Sequence, residues 1–186
     1  MRTPPYQPVT LRPLVGLSLA VNYAIGGLDP RGYHVFNVAI HAFATCVLYG
    51  VLRRSMHGAE LDFKGRGTFI AFIVTLIWAV HPLQTSSVSW VLQRSEMMMS
   101  LCLLLTLYCL NRSTPTGGTN EKSPTAGMWA VGAVASCAAG MFCKEVMIVA
   151  PLIALLYGRA FLYGSWRALM HSRWRVYSGL FACMAI

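Results

Sequence analysis

Five stretches of this chain are apolar almost without a break: Val35 to Leu52, Thr68 to Val80, Met97 to Leu110, Met128 to Cys143 and Val146 to Leu162. A sixth begins at Val176. At a rise of about 1.5 Å per residue, a run of about 18 residues spans about 27 Å, close to the hydrocarbon thickness of a bilayer, and the shorter runs need their polar-flanked extensions to cross. The pattern predicts an all-α protein, a polytopic membrane helix bundle with about five full transmembrane helices and a truncated sixth. Composition agrees, since 56% of the residues are hydrophobic, 11% are charged and the mean hydropathy is +0.55, well outside the usual soluble range. The sixth run stops at Ile186 after too few residues to span, so the expectation is a piece of something longer.

The position of the charges decides what the formal charge of +9 means. Ten of the fifteen basic residues fall in alternate connections: Arg53, Arg54, Lys64 and Arg66, then Arg112 and Lys122, then Arg159, Arg167, Arg173 and Arg175. The positive-inside rule places the loops near 53–67, 112–127 and 159–175 in the cytoplasm. The excess is therefore topogenic, and a nucleic-acid partner, which would need basic residues interleaved with exposed aromatics or a reader motif, is not expected. Upstream, residues 1–33 are expected on the outer side, as a Pro-rich segment followed by an interfacial helix over Val15 to Leu28. No signal-peptide pattern opens the chain. The bundle then occupies residues 34–186.

Ser113 to Gly127, rich in Ser, Thr, Pro and Gly, is expected as a flexible cytoplasmic connection, with the Asn111-Arg112-Ser113 sequon unused. The six cysteines lie within or at the edges of apolar runs, at spacings that match no metal site, and are expected as small packing residues.

Polar groups at membrane depth are costly, so those on the outer side are the candidates for function. His34, Asn37 and His41, spaced i, i+3 and i+7, share a helix face at the outer end of the first run. Interhelical hydrogen bonding is weighed above metal ligation for them. His81-Pro82 should end the second run with a reversal, and Thr85, Ser86 and Ser87 offer N-caps for a new helix. Arg94 and Glu96 follow a few turns into that helix, projecting in different directions and so needing other partners. Lys144-Glu145 separates two apolar runs with almost no room for a loop. Two readings stay open for these charges, interfacial anchoring and an anion site for a lipid-linked phosphate.

Several stretches together carry a resemblance: Leu11-Arg12-Pro13-Leu14 through Asn22-Tyr23; Gly32-Tyr33-His34 with Asn37 and His41; Trp78-Ala79-Val80-His81-Pro82-Leu83-Gln84-Thr85; Gln93-Arg94-Ser95-Glu96; Cys143-Lys144-Glu145; and Pro151 with Leu155-Leu156-Tyr157. In this order, over nearly the whole chain, they resemble the polytopic GT-C glycosyltransferase-like membrane proteins with C-terminal tetratricopeptide repeats, relatives of the transmembrane-and-TPR protein O-mannosyltransferases. The resemblance implies a partial GT-C fold with a polyprenyl-phosphate-linked sugar as donor substrate and no certain cofactor. It implies Arg94 and Lys144 as ligands of the donor phosphate, and His34, Asn37, His41, His81, Glu96 and Glu145 lining the pocket. Cations fixed in a low-dielectric mouth would stabilise the charge that develops on a sugar-phosphate leaving group.

The family's acidic first outer loop, bearing the expected base, would lie upstream of Met1, and Ser86 stands where the family usually has an acidic residue and Gly158 where it often has Asp. The catalytic base is therefore expected to be absent from this chain. Asp29, Glu96 and Glu145 are the outer-side carboxylates, and none is assigned as base. The leading reading is the membrane portion of a glycosyltransferase acting on an extracytoplasmic protein or glycan acceptor, inactive on its own if the base is missing. The alternative is a non-enzymatic membrane scaffold or lipid-phosphate-binding module. A bacterial inner membrane is favoured, or the endoplasmic reticulum if the source is eukaryotic.

Overall fold

The structure, a computed structural model, describes residues 12–58, 65–114 and 124–185, which are helical, with no strand among them. The Pro-rich start before Arg12, the loop residues Lys64 and Lys122, and the carboxylates Glu60, Asp62 and Glu121 lie outside the described residues.

Helix α1, Pro13–Gly26, opens on a proline, whose missing N–H is no loss in a first turn. Gly27, at φ 60, reverses the chain, and the Tyr33 hydroxyl donates to the Gly27 carbonyl at 2.9 Å to hold the turn. Asp29 accepts the Arg31 N–H at 3.0 Å as α2, Pro30–Gly58, begins. Then come α3, Gly67–Ala79, and α4, Pro82–Ser89, with a 3₁₀ turn, Val91–Gln93, leading into α5, Arg94–Ser113. The second half is α6, Ala126–Met141, a 3₁₀ turn Glu145–Val149, α7, Ala150–Tyr157, a π-helical segment Gly158–Tyr163, and α8, Trp166–Ala182.

Two helical stretches, Pro30–Met56 and Glu145–Tyr163, are long and apolar enough by themselves to cross a membrane. Pro13–Gly26, Gly67–Ala79 and Ala126–Met141 are apolar but shorter. Helix α5 has 20 residues, about 30 Å of rise, yet carries Arg94, Glu96 and Arg112 in its end turns.

The sequence reading differs from the structure in three places. The connection expected at 159–175 is mostly helical, because the π segment extends α7 and α8 starts at Trp166, well before the apolar run at Val176. The N-cap of α4 is His81, whose Nδ1 accepts the Leu83 N–H at 3.2 Å, and not Thr85, Ser86 or Ser87. Proline fixes φ at the first helical position, so the helix starts at Pro82 and the capping position falls one residue earlier. Arg94 opens α5 and Glu96 sits in its first turn, because Trp90 is extended and ends α4.

Helix α5 is the central element, packed along α6 and α2, while α2 also packs on α3. Small residues make the close approaches. In α3 the buried residues are Gly67, Ala71 and Thr75, one per turn, while Phe69, Phe72 and Ile77 face outward. That arrangement suits a helix whose association depends on backbone proximity while its large apolar side chains face lipid. The core of the second half joins Cys109, Ala133, Cys137, Met147, Ala150, Ala154, Leu169 and Leu180. Four cysteines, Cys109, Cys137, Cys143 and Cys183, are buried, and all six are free thiols.

Candidate functional site

The first turn of α5 gathers the polar residues expected on the outer side. Arg94 is fully buried. Its Nε–H donates to Asn37 Oδ1 at 3.0 Å, Nη1 to Asn22 Oδ1 at 2.7 Å and to the Ser18 carbonyl at 3.2 Å, and Nη2 to the Tyr33 carbonyl at 3.3 Å. The guanidinium also lies 4.5 Å from the Phe36 ring centre and 5.6 Å from that of Tyr33. Asn37, also buried, donates its Nδ2–H to the Val88 carbonyl at 3.2 Å. One side chain thus ties α1, α2 and α5 together, and Asn37 extends the tie to α4.

Among the described residues Arg94 reaches neutral acceptors and aromatic faces, so its charge is spread over oriented dipoles. The guanidinium fork makes this possible, because its N–H groups point in fixed, divergent directions that an ammonium could not serve together.

Next to this hub, Lys144 forms an ion pair with Glu96, and Arg12 pairs with Glu145 at 3.3 Å. Arg12 also donates from Nη1 to Ser95 Oγ at 3.3 Å, so the two pairs sit on either side of the same helical turn. Glu96 and Arg94 do take separate partners, as their spacing on a helix requires. Around this turn, among the described residues, Arg12, Arg94 and Lys144 stand with Glu96 and Glu145.

Two adjoining cavities lie nearby, one of them lined by Glu96. One, of about 200 Å³, is lined by Ile40, His41, Ala44, Trp78, Gln84, Glu96, Met97 and Ser100. The other, of about 250 Å³, is bounded by His41, Ala79, Val80, His81, Gln84, Thr85 and Val88. His41 and Gln84 stand between them. His41 Nε2 is 3.0 Å from the Ala79 carbonyl, an atom that only accepts, so Nε2 carries the proton and a neutral ring leaves Nδ1 as an acceptor. The ring stacks on Trp78, with centres 5.2 Å apart and planes 26° from parallel. The site therefore offers an aromatic platform, an imidazole, an amide and a carboxylate around a small space.

Of the residues singled out in the sequence, His41, His81 and Glu96 line these cavities. Asn37 lies beneath them as a partner of Arg94, and Lys144 reaches them through Glu96. Glu145 is exposed beside Arg12, and His34 is exposed, with no hydrogen bond among the described residues. Arg94 and Lys144, expected to hold one phosphate together, take different partners: Lys144 pairs with Glu96, and Arg94 is buried on protein acceptors. Among the described residues no group of three or more metal-ligating side chains occurs.

Trp78, Gln84, Ser100, Asn22 and Arg12 were not singled out as site residues. Trp78 and Gln84 flank His81-Pro82 in the sequence, which is the signal that could have marked them. Asn22 and Arg12 join through tertiary contact alone.

The chain is similar to several curated protein O-mannosyl-transferases. Protein O-mannosyl-transferase TMTC2 of Mus musculus is 34% identical over 146 residues, covering 78% of this chain and 16% of that protein. For tmtc2 of Xenopus laevis the identity is 33% over 150 residues, with the same coverage of each. TMTC4 of Mus musculus is 29% identical over 139 residues, 72% of this chain and 19% of that protein. The chain thus spans less than a fifth of the length of these relatives. No family profile matches the chain, and no solved structure does.

Proposed function

We propose, for a chain that belongs to the family of the TMTC protein O-mannosyl-transferases, that it is part of the membrane portion of a GT-C-type glycosyltransferase. In this reading about five helices cross the bilayer, α8 begins a sixth crossing, and the Arg94–Lys144 end lies outside the cytoplasm. The donor is a polyprenyl-phosphate-linked sugar and the acceptor an extracytoplasmic protein or glycan.

The observation that carries the reading is the Lys144–Glu96 pair, whose Glu96 lines the cavity together with His41 and Trp78. A lipid phosphate entering there would compete with Glu96 for the Lys144 ammonium. The sugar would then lie against the Trp78 and His41 rings, with Gln84 and Ser100 able to bond its hydroxyls. Each cavity is smaller than the pockets that hold drug-sized ligands, and a single sugar is the scale of group they suit. As the glycosidic bond breaks, the phosphate gains negative charge, which a fixed ammonium in a water-poor mouth stabilises more than it stabilises the intact donor.

Lys144 is the direct phosphate ligand in this reading. Arg94 acts as a positioning residue: it fixes α5 against α2. None of the carboxylates is assigned as base.

The test is sugar transfer from a polyprenyl-phosphate donor by the full protein in membranes, comparing the native chain with Lys144→Ala. Transfer and donor binding that both fall on substitution support the reading. Binding that depends on Lys144 without any transfer favours the lipid-phosphate-binding module, for which the full pairing of Glu96 already speaks. Binding indifferent to Lys144 overturns both.

A further inference from the structure

The first half of α8 has a surface that sugar transfer does not use. Gly164, at φ 61, ends the π segment, and Ser165 Oγ accepts the Ala168 N–H at 3.2 Å to start a new helix. From Trp166 to Ser172 only Leu169 is buried. The helix then breaks its geometry at Arg173, φ −138 and ψ 23, and beyond that point it buries Val176, Tyr177 and Leu180 in the core. The early part is held by one anchor and the later part is packed.

The exposed part is patterned. Trp166, Met170 and Trp174 recur every fourth residue and are 48%, 53% and 56% exposed. Arg167, His171 and Arg175 each follow one position later and are also exposed. Residues four apart on a helix lie one above another, so before the break Trp166 and Met170 share a face beside Arg167 and His171, and past it Trp174 and Arg175 repeat the pairing. The Arg175 guanidinium sits 5.7 Å from the Trp174 ring centre, and that of Arg159, on the π segment, 5.9 Å from Trp166. Arg159 Nε is buried without a hydrogen-bond partner among the described residues. No acidic residue occurs from Val146 to Ile186, so nothing within this part of the sequence neutralises its arginines.

Water alone would leave the Trp and Met side chains unsatisfied, and the hydrocarbon core would leave the arginines so. A membrane surface with anionic headgroups over an apolar layer accommodates both at once. We propose that residues 164–175 form an interfacial segment that binds anionic lipid, with Trp166, Met170 and Trp174 at the acyl boundary and Arg167 and Arg175 on lipid phosphates. The break at Arg173 lets the chain lie along the surface before α8 turns into the bundle. This goes beyond sugar transfer and rests only on the membrane placement of the chain.

The experiment is hydrogen exchange on the full chain reconstituted in nanodiscs of phosphatidylcholine alone and of phosphatidylcholine with a minor fraction of phosphatidylserine. Amides of residues 165–175 should exchange several-fold more slowly in the anionic discs, and the combined substitution Arg167→Gln and Arg175→Gln should abolish that difference. Peptides from α5 and from residues 176–183 should be alike in both lipids and in the variant. Equal exchange of the native chain in the two lipids overturns the proposal, whatever the variant does, and so does a lipid difference that survives the substitutions. Free exchange across Pro30–Met56 in either disc would instead show that the membrane placement is wrong, and the proposal would fall with it.

Discussion

Arg94 donates its Nε–H to Asn37 Oδ1 at 3.0 Å, joining two residues that are 57 positions apart and both fully buried. This bond sets the first turn of α5 against α2, and through the other N–H groups of Arg94 it brings α1 to the same place. The site at the mouth depends on that alignment, because Glu96 lies half a turn further along α5.

Arg94→Ala should therefore unsettle the whole outer end. It removes a cation that satisfies Asn37, Asn22 and two backbone carbonyls, leaving buried polar groups unpaired, and should cost about 2–4 kcal/mol. Arg94→Lys should recover only part of this, since an ammonium cannot reproduce the divergent fork. Thermal unfolding in detergent or lipid is the check, and a Lys variant as stable as the native chain would contradict the multi-acceptor role.

Glu96→Gln tests the competition at the mouth. The neutral amide frees Lys144 from its ion pair while keeping nearly the same shape, so polyprenyl phosphate should bind several-fold more tightly, a gain of about 1 kcal/mol. Weaker binding in this variant would mean that Glu96 contacts the ligand favourably, and the proposed exchange would be wrong.

Gly158→Ala should destabilise the second half of the bundle by about 1–3 kcal/mol. A Cβ there would run into the Tyr177 hydroxyl, carried on a rigid ring, with Leu169 Cδ1 at 3.2 Å on the other side. Gly140→Ala should also destabilise, because its Cβ would lie 2.7 Å from both Cε and Cγ of Met147, a buried side chain with little room to move. Unfolding temperatures unchanged from the native chain would refute these close approaches.

Tyr157→Phe probes the opposite end. Its hydroxyl accepts from Asn111 Nδ2 at 2.7 Å and shares a hydrogen bond with Ser55, and both of those residues are buried. Losing it takes the partner from Asn111 Nδ2, while Ser55 Oγ keeps its bond to the Val51 carbonyl and Asn111 Oδ1 its bond from Arg54, and should cost about 1–3 kcal/mol. Chemical or thermal unfolding of the variant measures this, and a neutral result would show that the network relaxes around the gap.

The helical class and the order of the helices were legible in the apolar runs, because apolar periodicity and length are local properties. The separation of Arg94 from Glu96 was legible for the same reason: residues two apart on a helix point in different directions wherever the helix lies. The helicity of 159–175 was hidden by its arginines, which read as a loop until the exposed face of α8 is seen to carry them.

The partners of the charged residues were decided only by the tertiary structure. Arg94 and Lys144 look equivalent in the sequence, each a cation next to or near a carboxylate at the end of an apolar run. Packing of α1 and α2 over the start of α5 gives Arg94 neutral acceptors in Asn22, Asn37 and two backbone carbonyls, whereas the turn before Glu145 brings Lys144 to Glu96, 48 residues away. A sequence fixes which residues are apolar or charged and how they repeat along a helix. Which charge is enclosed and which stays at the mouth depends on how the helices dock, since burial is a property of the neighbours a residue meets in space.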